Sequence, residues 1–249
     1  MQSVSLSWVW RIFSENVNQI ISGTWVTLYT TIIGTFLGIL LGFLIGVIKS
    51  TPITGEDSLL KRVGLRIVKG VCAVYVEVFR DTPMMVQAMV LYYGIRSFTD
   101  LSSVGGSILV ILLNTGAYMA ETVRGGIQSV DSGQREGAAA LGMGHLMCMF
   151  NVILPQTLMN ILPEIGNMFL TNLKMTSVLN VINLSELYFV AKAAASNSYR
   201  YFESYLVIAI VYFVLCFICA RIIDFVEKKL QGSGDYELAL VTEDAGEED

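Results

Sequence analysis

The sequence predicts an all-α polytopic membrane protein with five transmembrane helices. Of its 249 residues, 54% are hydrophobic and only 15% are charged, whereas soluble domains carry about 25% charged residues. The mean hydropathy is +0.61, and the apolar residues gather in runs that approach the roughly 20 residues a helix needs to cross a bilayer. This composition is too apolar for a disordered chain and too poor in charge for a soluble surface.

The first two elements are an interfacial helix and a long crossing. Residues 1–19 place Trp8, Trp10 and Phe13 among polar residues, which is typical of a helix lying at a membrane surface. They lack a basic stretch followed by an apolar core, so we expect no cleavable signal peptide. Residues 20–48 contain no charge. Every fourth residue from position 34 to position 46 is glycine, which predicts a helix face that another helix backbone can approach closely.

The second crossing is predicted to be bent. It covers residues 63–95 and contains Glu77, Arg80 and Asp81 near its middle, followed by Pro83. Proline removes a backbone donor and kinks or ends a helix. Neither half is long enough to span a bilayer alone, so together they predict one long, interrupted crossing.

The remaining crossings differ in quality. They are predicted at residues 105–120, 150–173 and 205–223. The fourth crossing contains Glu164, Asn167 and two prolines, so we expect it to be buried among other helices and not to face lipid. The fifth is a clean apolar run.

Charge placement predicts the orientation. Residues 232–249 hold seven acids and no lysine or arginine, and without them the chain has 16 basic against 14 acidic residues. The basic residues gather in segments 49–70 and 121–149 and after the fifth crossing, so we expect a cytoplasmic C-terminus and an external N-terminus. Residues 226–249 are predicted to form a disordered cytoplasmic acidic tail, with electrostatic contact to a basic partner surface as the alternative. The acidic total argues against nucleic-acid binding.

Several kinds of chemistry are not supported by the sequence. The four cysteines form no disulfide framework, and Cys216 and Cys219 lie in an apolar run with no nearby histidine, which argues against a metal or redox centre. The one histidine, His145, falls in a loop, which argues against a membrane protease. No Gly-rich phosphate loop is present, so another chain must supply the ATPase if ATP is used.

The loop between the third and fourth crossings carries the most informative pattern. Asp131 followed by Gln134 is a capping-box-like start, and the pattern predicts a short helix over residues 134–141 that Gly142 ends. Residues 138–140 are all alanine, so this helix has little side-chain bulk and fits a groove of a partner. The alternative is a helical corner packed against the protein's own crossings.

The spacing in this loop resembles the EAA loop of permease subunits of binding-protein-dependent ABC importers. That pattern is Glu-Ala-Ala, three residues, Gly, nine residues and Ile-x-Leu-Pro. Here Glu136, Gly137 and Ala138 are followed in register by Gly142 and by Val152-Ile-Leu-Pro155. The departures are Gly137 for the first alanine and Val152 for isoleucine.

Other stretches resemble the polar-amino-acid (His/Glu/Gln/Arg/opine) subfamily of these permeases, so that the resemblance covers about residues 20–225. They are Thr24-Trp-Val-Thr27, Glu77-Val-Phe-Arg-Asp-Thr-Pro-Met-Met-Val-Gln87, Ala120-Glu-Thr-Val-Arg-Gly-Gly126, and Asn167 through Lys174-Met-Thr-Ser177 to Glu186-Leu187. Asp81 stands where the subfamily usually has glycine, which we expect to bear on substrate charge.

The resemblance implies a type I ABC importer permease fold with residues 20–225 as the transmembrane domain and an EAA loop at about 131–155. It implies a bacterial cell-membrane protein that pairs as a homodimer or heterodimer, an external amino-acid-binding protein, and a cytoplasmic ATPase that carries ATP and Mg²⁺. No cofactor or metal is expected on this chain, which would not itself be an enzyme. The residues expected to couple to the ATPase are Glu136, Gly137, Ala138, Ala139, Ala140, Gly142, Leu154 and Pro155.

Polar residues at membrane depth are the candidates for a substrate path, because such groups are costly unless buried or facing water. These are Asp81, Thr82, Gln87, Asn114, Glu164, Asn167, Thr176 and Ser177. The alternative for each is a hydrogen bond between helices. The two acids favour a cationic amino acid. Glu186 and Lys192 are expected to face water or the binding protein. An ATP-independent channel or secondary transporter and a non-transporting membrane scaffold remain as alternative functions.

Overall fold

Helices make up nearly all of the chain in a computed structural model that describes residues 5–231 apart from positions 54, 56 and 57. Within that range there are ten α-helices: α1 Leu6–Glu15, α2 Val17–Ser50, α3 Leu59–Asp81, α4 Met84–Arg96, α5 Ser103–Ser129, α6 Ser132–Ala140, α7 His145–Cys148, α8 Leu154–Met175, α9 Leu187–Ser198 and α10 Tyr201–Gln231. A π turn, Met149–Ile153, joins α7 to α8, and a 3-10 segment, Thr176–Ile182, follows α8. The acidic residues 232–249 lie outside the described residues.

Four helical runs in the described chain are long and apolar enough to cross a membrane: Val17–Ser50, Ser103–Ser129, His145–Ile182 and Tyr201–Leu230. They correspond to the first, third, fourth and fifth predicted crossings. The predicted second crossing is divided into α3 and α4, so the count of five remains a prediction. The first crossing begins at Val17, inside the segment assigned to the interface, and α10 continues to Gln231, past position 226 where the tail was placed.

The glycine-rich face of α2 packs directly on α5. A β-carbon added at Gly34 would lie 2.7 Å from Ile111, at Gly38 2.5 Å from Thr115, and at Gly46 2.7 Å from Val123. Gly42 meets Met119 in the same way. Residues 111, 115, 119 and 123 form one i, i+4 ridge of α5, and the glycines form the groove that receives it. The predicted close approach is therefore confirmed, and its partner is α5.

The break between α3 and α4 falls at Thr82-Pro83, where Pro83 and the charges before it predicted a bend. Pro83 is the residue that precedes α4 and has an extended conformation with φ −65, which is the φ that its ring fixes. The helix α3 packs mainly on α5, and Val76 is its buried residue. Much of its apolar surface, including Ile67, Val71 and Val74, is exposed.

The end of the bundle opposite α6 is closed by α1, α9 and the start of α10, which share a core that includes Ile12, Leu187, Ala191 and Val207. Trp8 of α1 lies beneath two guanidinium groups, those of Arg11 at 4.9 Å and Arg200 at 5.0 Å from its ring centroid. These contacts fix α1 beside the start of α10. That residues 1–19 lie at the membrane interface remains a prediction.

Candidate coupling helix and membrane cleft

The helix α6 is held by caps at both of its ends. The Asp131 carboxylate accepts a 2.6 Å hydrogen bond from the Gly133 amide at the first turn. At the other end Gly142 has φ +77. The amide of Gly142 donates to the Ala139 carbonyl at 2.9 Å and that of Met143 to the Ala138 carbonyl at 3.0 Å. This pair of bonds is a Schellman motif, so the predicted short helix and its glycine stop are confirmed.

The surface of α6 is almost wholly exposed. Ala138 is its buried residue, packed against a core that includes Val130 and Ile153. The side chain of Leu141, just past the helix, is 84% exposed. An added β-carbon at Gly137 would meet nothing within 4 Å. The helix is therefore anchored through buried Ala138 and through Arg135, whose guanidinium donates to the Ile127 carbonyl at 2.8 Å, and it offers its other small side chains and an exposed leucine outward.

Leu154 and Pro155 lie at the start of α8, after the π turn. Leu154 is half-buried against the same core that holds Ala138. Pro155 occupies the first turn of α8, where its missing amide hydrogen costs nothing. The end of the predicted motif therefore fixes the point where the chain re-enters the bundle, while its beginning, around Glu136, is exposed.

A half-open cleft of about 500 Å³ lies where α3 breaks from α4, against α5 and α8. Its lining comprises Arg80, Asp81, Thr82, Pro83, Met84, Asn114, Tyr118, Met168, Thr171, Asn172 and Met175. The guanidinium of Arg80 lies 5.6 Å from the centroid of the Tyr118 ring. The cleft thus combines one cationic and one anionic side chain with amides, hydroxyls and methionines.

Side-chain hydrogen bonds hold the helix break in place. The Gln87 amide nitrogen donates to the carbonyls of Phe79 and Thr82, each at 2.9 Å, and to Thr82 Oγ1 at 2.8 Å. The Asn114 amide nitrogen donates to Gln87 Oε1 at 3.1 Å and to the Phe79 carbonyl at 3.3 Å. The last carbonyls of a helix have no partner within it, and here α4 and α5 supply the missing donors.

The predicted path residues therefore separate into groups. Asp81, Thr82 and Asn114 line the cleft, while Gln87 is buried behind it as the centre of the bonds just described. Glu164 and Asn167 are exposed on α8. Glu164 lies on the same helix face as Thr171, seven residues along, which is about 10 Å away.

The last two predicted path residues lie beyond the cleft. Thr176 is buried and donates to the Leu173 carbonyl at 2.8 Å. Ser177 lines a different pocket, with Asn180, Tyr188 and Lys192. The structure therefore brings three of the eight candidates into the cleft and distributes the others around it.

Asn172 is a cleft residue that the sequence did not single out. Its amide nitrogen donates to Thr35 Oγ1 of α2 and to Thr115 Oγ1 of α5, both at 2.8 Å. All three side chains are buried, so one amide joins three helices inside the membrane region. The sequence carries no spacing signal for Asn172, because exposed Glu164 and buried Asn172 lie on different faces of α8.

Glu186 was expected to face water, and this expectation is wrong. Its carboxylate is buried and caps α9, accepting hydrogen bonds from the amides of Tyr188 at 2.7 Å and Phe189 at 2.9 Å. The Tyr212 hydroxyl of α10 donates to it at 2.6 Å. Burial raises the pKa of Glu186 above its ordinary value, and these hydrogen bonds oppose that rise. The glutamate ties α9 to α10, whereas Lys192 is exposed as expected.

In the part of the chain that the structure describes, no three histidine, cysteine, aspartate or glutamate side chains gather as metal ligands. The fold and the cleft together define a multi-pass helical membrane protein with a polar cleft among its helices. Residues 58–232 match the family described as "Binding-protein-dependent transport system inner membrane component".

Similar proteins of known name are amino-acid permeases. The arginine transport system permease protein ArtQ of Bacillus subtilis is 34% identical over 64% of this chain and 74% of its own length. The glutamine transport system permease protein GlnP of Escherichia coli is 32% identical over 66% of this chain and 77% of its own.

Solved structures agree with this result. A chain of the crystal structure described as an amino acid ABC transporter with histidines has a TM-score of 0.78 and 34% identity, over 92% of this chain and 100% of that one. An inward-facing MetNI methionine ABC transporter chain, at 16% identity, shares the fold with a TM-score of 0.71 over 87% of this chain and 98% of its own.

The protein belongs to the family of binding-protein-dependent transport system inner membrane components. It is a permease subunit with the type I ABC importer fold and not an enzyme, and the resemblance predicted from the sequence is confirmed.

Proposed function

We propose that this chain forms the translocation path of an ATP-driven amino-acid importer and couples to a cytoplasmic ATPase through α6. The observation that carries the proposal is the exposed, doubly capped α6, whose Glu136, Gly137 and Gly142 stand in register with the EAA pattern. A short, exposed helix with small side chains and Ala138 as its buried residue is suited to insertion into a groove of a partner.

Each of the proposed coupling residues has a different role in such a contact. Glu136 offers an exposed carboxylate to a basic residue of the ATPase, and residues 137, 139 and 140 leave the helix surface free of bulk. Gly142 turns the chain with a positive φ that other residues adopt at a cost. Leu154 and Pro155 fix the return into α8. ATP and Mg²⁺ would be bound by the ATPase.

The cleft is proposed as the substrate site, with Asp81, Thr82 and Asn114 in contact with the amino acid. Arg80 and Asp81 offer opposite charges to the carboxylate and ammonium groups of a zwitterion. Asp81 in the cleft and Glu164, about two turns before Thr171 on α8, are two carboxylates that favour a cationic amino acid. In this proposal Gln87 and Thr176 hold the helices around the cleft through their hydrogen bonds, and Asn167 and Ser177 are polar groups beside the route.

The predicted partners are a second permease subunit, identical or different, an external amino-acid-binding protein and the ATPase. The exposed apolar surface of α3 is available to the second subunit or to lipid. Basic residues support a cytoplasmic location for the end that carries α6. Lys49 pairs there with Glu121, and Arg124 pairs with the same carboxylate at 2.8 Å. The N-terminus would then lie outside and the C-terminus inside.

The experiment is reconstitution of the full chain, with the ATPase and any second permease that co-purify with it, into vesicles that also receive the external binding protein. Uptake of radiolabelled arginine, glutamine and glutamate is measured with and without ATP on the ATPase side. We expect ATP-dependent uptake, with arginine preferred. Equal uptake without ATP would indicate a channel or secondary transporter, and no uptake of any amino acid would favour a scaffold.

A further inference from the structure

We propose that α5 is a lever that carries the movement of α6 to the cleft, and that Arg135 and Tyr118 are the positioning residues at its two ends. This inference rests on the proposed function, because it assumes that α6 engages an ATPase. It assigns a role to two side chains that the EAA pattern does not include.

Arg135 is the link at the α6 end. Its guanidinium Nη2 donates a 2.8 Å hydrogen bond to the carbonyl of Ile127, which lies in the last turn of α5. A carbonyl in that position has no partner within its own helix, and a cation there is favoured by the helix dipole. Ile127 is itself buried, so any displacement of α6 acts on a point of α5 that is fixed in the core.

The body of α5 is suited to transmit that displacement without bending. Its ridge of Thr115, Met119 and Val123 is seated in the glycine groove of α2. Near the α6 end of α5, the Glu121 carboxylate forms ion pairs with Lys49 of α2 and with Arg124. Because packed helices of this kind deform little, α2 and α5 form one rigid pair.

The cleft end of α5 holds the helix break. The Tyr118 hydroxyl donates to the Arg80 carbonyl at 3.4 Å, and Asn114 donates to the Phe79 carbonyl at 3.3 Å. Both carbonyls belong to the final turn of α3. Tyr118 and Asn114 lie about 14 and 20 Å along α5 from Ile127, at 1.5 Å per residue. Movement of α6 therefore shifts the donors that keep the end of α3, with Asp81, at the edge of the cleft.

The test uses the complete complex in proteoliposomes and measures two rates, ATP hydrolysis and amino-acid uptake. For Arg135→Ala we expect the ATPase to co-purify and to hydrolyse ATP, while uptake per ATP falls about fivefold or more, the lower end of typical coupling between sites. Tyr118→Phe, which removes only the hydroxyl, should lower the same ratio. In the double variant, uptake per ATP should fall no further than in the more impaired single variant, because both changes interrupt one connection.

Asn160→Ala is the matched control. It removes a 3.2 Å hydrogen bond from α8 to Ser129 at the same end of α5 but leaves α6 untouched, and uptake per ATP should equal that of the wild type. An unchanged ratio in Arg135→Ala or Tyr118→Phe would overturn the proposal. Losses that multiply in the double variant, or loss of ATPase binding in Arg135→Ala, would do the same. Failure of the proposed function would instead show as absent ATP-dependent uptake in the wild type.

Discussion

Replacing Gly38 with alanine should destabilise the protein, even though alanine is the better helix former. The added β-carbon would lie 2.5 Å from Thr115 Cβ, 2.9 Å from its Cγ2 and 3.0 Å from the Leu112 carbonyl. Carbon atoms in contact need about 3.5 Å, so α2 and α5 would have to separate locally by about 1 Å. That shift would also lengthen the 2.8 Å bond between Asn172 and Thr115.

The expected loss of stability combines two destabilising contributions and one stabilising contribution. Overpacking costs about 1–3 kcal/mol, and each hydrogen bond lost between membrane helices costs about 0.6 kcal/mol on average. The gain in helix propensity is at most about 1 kcal/mol. The net loss is about 2 kcal/mol, which corresponds to a fall in Tm of about 4–8 °C for a chain of this size.

Thermal unfolding of the purified protein in detergent measures this effect. Gly70→Ala is the matched control, because an added β-carbon there has no neighbour within 4 Å and Gly70 also lies inside a helix. We expect the control to melt at the wild-type temperature or slightly above it. If Gly38→Ala melted together with Gly70→Ala, the close contact between α2 and α5 described above would be refuted.

Three other changes test the coupling turn, the substrate route and the buried carboxylate. Gly142→Asp should abolish ATP-driven uptake, because Gly142 has φ +77 in the turn that ends α6. Its control, Gly144→Asp, should transport normally, because Gly144 has φ −66 and open space around it. Normal uptake by Gly142→Asp would contradict the assignment of this turn. Glu164→Gln should reduce uptake of arginine more than that of glutamine, and an equal effect on both would remove the case for a cationic substrate. Because burial raises the folded-state pKa of Glu186 above its unfolded value of about 4.3, its stabilising contribution is complete below that pH and is lost as pH rises through the raised pKa. The Tm of the wild type should therefore fall more steeply over that window than the Tm of Glu186→Gln, and parallel curves would argue against the shift.

The sequence predicted the features that depend on neighbours along the chain. The helix break needed only Pro83 and the charges before it, and the short α6 needed Asp131 as its cap and Gly142 as its stop. The groove of α2 followed from glycine at every fourth position. These signals are local in sequence, so they predict structure without any knowledge of how the helices pack.

The errors and omissions came from contacts between distant parts of the chain. The sequence alone suggests that Glu186 is a solvated acid. In the structure Tyr212 lies beside it, and α2 packs so closely that a β-carbon added at Gly23 would lie 3.1 Å from the Glu186 backbone. Asn172 reads as one polar residue among many until Thr35 and Thr115 are brought to it. The spacing of residues along the chain does not identify these hydrogen-bond partners, because many other threonines and tyrosines could make the same bonds.

The groove of α2 also has a consequence for biosynthesis. The ridge that fills it ends about 80 residues later in the chain, so at 5–20 residues per second α2 waits for roughly 4–16 s before α5 is complete. During that interval the buried threonines of α2, Thr27, Thr30, Thr31 and Thr35, have no α5 beside them. Hydroxyls bonded back to their own helix, as Thr31 is to the Thr27 carbonyl at 2.7 Å, allow the nascent helix to rest in lipid until its partner arrives.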